Sequence, residues 1–220
     1  TPTVYQNTDL YLKLDELNGK PIDIVNGLQF DLFGGVQQGV QGKIGNAYSF
    51  DGVDGYLRGN NFTSITDGDF TISAYVKQGS KSNNCIFSQN IPNSFPYNTL
   101  AIYIGEYRGP SAKFEFRLFI GLTSIIEYIG NGGIATNSYK HYVIRRTGSL
   151  FELFINNSLV DTRASSVYWI STEQILGGVN NNDSIIQNFK GDVDEFSIFN
   201  QSIPDYKISD LYNNGNGITI

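Results

Sequence analysis

The sequence is short of several things at once. It has one cysteine, no methionine, one tryptophan and six prolines in 220 residues. A single thiol closes no intramolecular disulfide and builds no Cys-rich zinc site, so the fold must rest on packing alone. Cys85 suits reducing and oxidising surroundings equally. Charged residues make up only 16% of the chain, with a net charge of −6 and a pI near 4.7. Such a chain lacks the clustered Lys and Arg that hold nucleic-acid phosphates, and no nucleic-acid partner is expected. No apolar run approaches the roughly 18 residues that a membrane-spanning helix needs, so no membrane insertion is expected. A basic-then-apolar leader is also missing; a chain starting Thr1-Pro2-Thr3 is expected to be a mature secreted product or a piece of a longer protein. The Gly-x-Ser-x-Gly, Walker and Rossmann signatures are absent, and His141, the sole histidine, makes no metal triad or Ser-His-Asp site by itself.

What is present is apolar, aromatic and rich in turn residues. Hydrophobic residues are 40% and aromatic residues 14% of the chain, with 24 glycines. A chain of this length and composition buries a core without a staple, and one domain spanning residues 1–220 is expected. Phe70, Ile72, Ala74 and Val76 alternate with Thr71, Ser73, Tyr75 and Lys77, the period of a half-buried antiparallel strand. Similar segments recur, among them 9–14, 47–50, 100–105, 113–120, 141–147, 150–156 and 193–200. Residues that tolerate positive φ separate them, including Thr147-Gly148 and Asn156-Asn157; Asp51-Gly52 with Asp54-Gly55 reads as a hairpin turn. One helix is predicted near the end of the chain, with Pro204 in its first turn, Ile208, Leu211 and Tyr212 on one face, and Asn213-Asn214-Gly215 as its stop. Many short strands and one late helix predict an all-β, antiparallel two-sheet sandwich of jelly-roll type.

The order of six stretches carries a family resemblance. Leu10-Tyr11-Leu12-Lys13-Leu14-Asp15-Glu16, then Gly42-Lys43-Ile44-Gly45-Asn46-Ala47-Tyr48-Ser49-Phe50-Asp51-Gly52, then the strand from Phe70 to Lys77 resemble the first half of laminin-G-like, concanavalin A-like jelly-roll domains. Tyr139-Lys140-His141-Tyr142-Val143, Leu153-Phe154-Ile155-Asn156-Asn157 and the run from Phe189 to Asn200 resemble the second half. Tyr139 stands where that family usually has Trp, and Asn157 where it has the turn glycine. The resemblance implies a concanavalin A-like sandwich. Such domains occur in lectins, adhesins, modules of hydrolases, viral fibres and structural spacers, and the fold alone does not choose among them.

Two sets of residues can carry chemistry. Asp192-Val193-Asp194-Glu195 is similar to the spaced carboxylates of glycosidases built on this architecture. Strict alternation places Asp192 and Asp194 on one face with Phe196 and Ile198, and the resemblance puts them on the closing strand, outside the usual catalytic segment. An inward Asp194 needs compensation, from an Arg, from backbone N–H groups or from a structural calcium shared with Asp23 and Asn26, since relatives often hold calcium where the first and last strands meet. For binding, sugars stack their C–H faces on Tyr and Trp and bond their hydroxyls to Asn and Arg. Tyr97, Tyr107, Arg108, Tyr168, Trp169 and Asn180 supply both ingredients, unless the rings serve only to pin long loops. The expectation is a non-catalytic carbohydrate-binding or adhesion module at a cell surface or on a virion, its partner a glycan or cell-surface polysaccharide. The alternatives are a structural subunit contacting other chains of an extracellular or viral assembly, and a glycoside hydrolase or polysaccharide lyase.

Overall fold

A computed structural model describes residues 7–60, 65, 68–79, 84–91, 97, 99–108, 112–130, 136–167, 171–181 and 184–220, with the side chains of 60, 106–108, 112 and 113 outside the description. The strands run β1 (Thr8–Leu12), β2 (Asp31–Phe33), β3 (Val36–Gln41), β4 (Asn46–Asp51), β5 (Tyr56–Asn60), β6 (Phe70–Gln78), β7 (Cys85–Asn90), β8 (Thr99–Arg108) and β9 (Ala112–Ile120). They continue as β10 (Thr123–Tyr128), β11 (Lys140–Thr147), β12 (Leu150–Ile155), β13 (Ser158–Ala164), β14 (Glu173–Leu176), β15 (Val179–Asn181), β16 (Ser184–Ile186) and β17 (Lys190–Phe199), followed by helix α1 (Asp205–Tyr212). An eight-stranded sheet has the order β13-β12-β11-β6-β17-β4-β3, with β1 also paired to β17; a seven-stranded sheet has the order β10-β9-β8-β7-β14-β5-β2. All their pairings are antiparallel. The sandwich expected from the sequence is the observed fold. No helix among the described residues is long and apolar enough to cross a membrane.

The alternation on β6 works as read: Ile72, Ala74 and Val76 join Leu100, Ile102, Ile104, Phe116 and Leu118 of the other sheet in the inner core. Asn156 and Asn157 both take positive φ, 49° and 63°, and close the β12–β13 turn. Three readings change. Asp51-Gly52 does not close a hairpin, because β4 and β5 belong to different sheets; the Asp51 carboxylate accepts the N–H groups of Val53, Asp54 and Gly55 and rounds a corner between sheets. Glu195 interrupts β17 as a bulge in the left-handed region, φ 52°, and the pairing shifts between Asp194 and Ser197. Asp192 and Asp194 therefore lie opposite Lys77 and Tyr75 on the outer face, while Phe196 and Ile198 turn inward. Third, β2, β3 and the β15–β16 hairpin went unread, since short, glycine-interrupted edge segments carry little alternation.

Much of the outer face of the eight-stranded sheet is covered. Phe199, Tyr11, Val143 and Phe154 form a second apolar cluster with Ile203 before α1, Ile208 and Leu211 of α1, and Ile220 after it. Pro204 stands just before the first turn, at the N-cap with extended backbone, and Asn213 ends the helix at φ 46°, donating its N–H to the Ser209 carbonyl, so the stop signal operates as predicted.

Candidate functional site

The outer face of the seven-stranded sheet is only partly covered. The register sets Phe33 beside Tyr56 and Asp31 beside Arg58, all on the side away from the inner core residues Leu57 and Leu176. The Phe33 and Tyr56 rings stack at 4.6 Å with planes 12° apart, and the Arg58 guanidinium lies 5.7 Å and 5.6 Å from the two ring centres. Phe33, on an edge strand, is 37% exposed. A ring pair of this kind gains stacking energy of about 0.5–1.5 kcal/mol and holds a flat apolar plate at the surface.

A buried polar chain fixes the guanidinium. Arg58 Nε lies 3.0 Å from Glu173 Oε1, and Asn180 Nδ2 donates to Glu173 Oε2 at 2.7 Å. Asn90 Nδ2 donates to the Asn180 carbonyl at 2.9 Å, and the Thr172 N–H donates to the Asn90 carbonyl at 3.1 Å. Glu173, Asn180 and Asn90 are each at most 5% exposed. Asn90 Oδ1 and Asn180 Oδ1 are buried acceptors without a partner among the described residues. A charge-assisted, nearly dry network of this kind is rigid, because each member is positioned by the next.

Three of the residues expected to bind sugar lie at the two ends of β8. Tyr97, 64% exposed, precedes β8, and Thr99 donates its hydroxyl to the Tyr97 carbonyl. The register Asn90 to Thr99 and Asn90 to Glu173 places that end of β8 beside the Glu173–Asn180 network. Tyr107 and Arg108 occupy the opposite end of β8, and are strand rather than loop; their side chains lie outside the described residues. Tyr168 and Trp169 also lie outside them. Asn180 is a buried strut, not an exposed contact. Sequence reasoning missed Phe33, Tyr56, Arg58 and Glu173, which come from three strands adjacent in the sheet but far apart in sequence; the one available signal was the aromatic-x-Arg spacing of Tyr56 and Arg58 on one strand face.

The acidic residues sit elsewhere. Asp23 Oδ1 accepts the N–H groups of Tyr11 and Val25, and Asp23 Oδ2 accepts the backbone N–H and side-chain amide of Asn26. Four donors fill the acceptor positions of the Asp23 carboxylate. Asp194, fully buried, instead accepts the Ile44 N–H at 2.9 Å. Burial pushes its carboxyl up to about 7 and that of Glu195, which accepts the Tyr11 hydroxyl, to about 8. Among the described residues no three His, Cys, Asp or Glu side chains converge as a metal-holding group. His141 bonds Ser73 Oγ at 2.8 Å, its ring stacks on Tyr75 and faces Tyr212, and burial lowers its pKa to about 3. Tyr75 donates to the carbonyls of Leu211 and Tyr212, and Arg145 pairs with Glu152 and Asp205. The helix and the residues leading into it thus occupy the part of this face around Tyr75 and Arg145.

Comparison with known proteins agrees with this architecture. The Laminin_G_3 family model, described as the concanavalin A-like lectin/glucanases superfamily, matches residues 51–209. Among solved structures, the chain superposes on Domain 4 of AbnA, a GH43 extracellular arabinanase from Geobacillus stearothermophilus in complex with arabinotriose, with a TM-score of 0.70 at 16% identity, covering 96% of this chain and 98% of that one. It also matches the binding domain of Paraclostridial Mosquitocidal Protein 1 (TM-score 0.68, 14% identity, 95% of this chain and 52% of that one). The botulinum neurotoxin serotype D binding domain matches with TM-score 0.68 and 13% identity, over 95% of this chain and 51% of that one. The chain therefore spans about half the length of either toxin binding domain. No curated protein matches the chain.

Proposed function

We propose that this chain, which belongs to the concanavalin A-like lectin/glucanase superfamily, is a non-catalytic carbohydrate-binding module of an extracellular protein. Its binding face is the open side of the seven-stranded sheet. The observation that carries this reading is the surface plate of Phe33 and Tyr56 with Arg58 held at its side by Glu173. Sugar rings present apolar C–H faces to such a plate while their outer hydroxyls seek fixed polar groups, and Arg58 is one. Tyr97, 64% exposed and next to the Asn90–Thr99 end of β8, extends the face. Two likenesses support the reading at the level of fold: an arabinanase domain crystallised with arabinotriose and domains named for binding.

A catalytic role is disfavoured by the acids themselves. Asp192 is tied to Lys77 at 2.9 Å and Asp194 is fully buried, so this pair does not present two carboxylates to a glycosidic bond. The calcium shared by Asp23, Asn26 and Asp194 forms no part of this reading, and the EDTA arm below tests it.

A glycan array followed by calorimetry with arabino-oligosaccharides, each in calcium and in EDTA, tests the proposal. Binding is expected to at least one glycan, weakened by about tenfold or more in Tyr56→Ala, the scale of losing one stacking contact with its desolvated surface. Silence across the array, or full binding by Tyr56→Ala, would sink it.

A further inference from the structure

The covered sheet leaves one part of its outer face open. Beyond the end of the apolar cap, a groove of about 410 Å³ runs across the ends of β4, β6 and β17. Its polar residues include Gln37 from β3, Ser49 from β4, Lys77 from β6 and Asp192 from β17. These come from four hydrogen-bonded neighbours, so the position of each is set by the sheet register: Gln37 faces Ser49, Ser49 faces Asp192, and Asp192 faces Lys77. Close backbone approach shapes the rest. A Cβ on Gly79 would meet the Lys190 carbonyl at 2.8 Å, and one on Gly191 would meet the Lys77 carbonyl at 2.4 Å, so the chain approaches this closely only with glycine at both positions, and both line the groove. Beside it, Tyr139 donates its hydroxyl to the Gln41 carbonyl at 3.0 Å, and its ring lies 6.0 Å from the Lys77 ammonium.

The charges in this groove cancel. Lys77 and Lys190 face Asp51 and Asp192, and Asp51 is already satisfied by the three N–H groups of its own turn. A neutral lining of alternating donors and acceptors gives no advantage to a phosphate or a carboxylate. It suits a neutral ligand carrying both roles side by side. Lys77 Nζ and Asp192 Oδ2 stand 2.9 Å apart with the Lys77 side chain 39% exposed. Adjacent hydroxyls on a sugar ring have a similar separation, so one can accept from the ammonium while the other donates to the carboxylate, two charge-assisted bonds at once.

We infer that this groove is a second saccharide site, selective for a neutral sugar through a vicinal diol bridging Lys77 and Asp192. The inference rests on the glycan-binding reading above but uses the opposite sheet and none of the same residues. Two sites on opposite faces let one module hold two chains, or two stretches of a folded chain, of a polysaccharide and gain avidity.

Amide chemical-shift mapping of the whole chain tests it, with cellotriose, mannotriose and xylotriose as neutral probes and trigalacturonate as the anionic one. A neutral probe is expected to shift Ser49, Lys77, Gly191 and Asp192. Asp192→Asn and Lys77→Met should each weaken that response by about tenfold or more, the worth of one charge-assisted hydrogen bond, while shifts at Phe33, Tyr56 and Arg58 stay as in the parent chain. Circular dichroism confirms that the variants are folded, and Gln37→Ala, at an exposed edge, gives an independent groove variant if either is not. Shifts confined to Phe33, Tyr56 and Arg58 would overturn the second site and leave the first standing; shifts confined to the groove would do the reverse. Response to trigalacturonate alone would overturn the neutral-diol assignment.

Discussion

The outer faces of the two sheets have opposite fates. On the eight-stranded sheet, α1 and the segment after it bury Tyr11, Val143, Phe154 and Phe199, and the polar groups trapped with them must find partners inside the protein. On the seven-stranded sheet, the β15–β16 hairpin seals only the region around Cys85, Ala101 and Tyr103, and the Phe33–Tyr56 plate stays at the surface. Both faces carry aromatic residues at outward strand positions. The difference is therefore set by what crosses over them, and it separates rings that hold the fold from rings free to meet a ligand.

The sharpest way to break this comparison is to strip the cover. Ile208 is fully buried in α1 against the second cluster. Ile208→Ala removes buried methylenes and leaves a cavity, so it should cost about 2–4 kcal/mol, seen as a fall in the denaturant midpoint. A loss below about 1 kcal/mol would mean that the helix is an ornament on an already complete sandwich, and the two faces would no longer differ in kind.

The covered face should also respond to pH, with an unusual sign. Asp194 and Glu195 have folded pKa values raised to about 7 and about 8, burial being the first cause, above unfolded values near 4. A raised carboxyl contributes stability that is complete below the unfolded pKa and is lost as pH rises through the folded one. His141 acts the other way: burial lowers its pKa to about 3, so its contribution is complete above about 6.5 and lost on acidification. Between about pH 5 and 8 the two carboxyls outweigh the one imidazole, and stability should fall with rising pH by on the order of 1 kcal/mol per unit. Tyr11, Tyr75 and Lys13 also face this cluster; burial raises both phenols, and the Asp15 hydrogen bond raises Lys13, so all three keep their protons across that window. Glu195→Gln should flatten the decline above pH 6 in melting curves. An unchanged slope in that variant would show that Glu195 ionises freely and that the cover is looser than drawn.

How much of this was readable depends on periodicity. The β6 and β8 alternation, the Asn156-Asn157 turn and the capped helix were legible because each is encoded within a few consecutive residues. The facing of Asp192 and Asp194 was not. One residue, Glu195 in the left-handed region, breaks the two-residue repeat, and nothing local marks a glutamate for that conformation. The Phe33–Tyr56–Arg58 plate was illegible for a different reason. It is assembled across β2 and β5 and fixed through β14, and long-range pairing leaves no trace in short windows. Sequence reasoning went to loop aromatics instead; of these, Tyr97 alone has a described side chain, and it lies at the β8 end beside the Asn90–Glu173 network.

The finest test asks whether the open face is dispensable to folding. Phe33 is 37% exposed on the outermost strand, and its ring touches Tyr56 and Arg58 rather than the inner core. Phe33→Ala removes one ring–ring contact and a partly solvated surface, so it should cost about 1 kcal/mol or less, against the larger loss from Ile208→Ala. Because the plate needs both rings to stay flat, the same change should weaken glycan binding nearly as much as Tyr56→Ala. Unfolding and calorimetry on one preparation separate the two quantities. If Phe33→Ala proves as destabilising as Ile208→Ala, the plate is part of the core and its exposure is incidental. If stability and binding both hold, Tyr56 alone carries the stacking and Phe33 only shields the sheet edge.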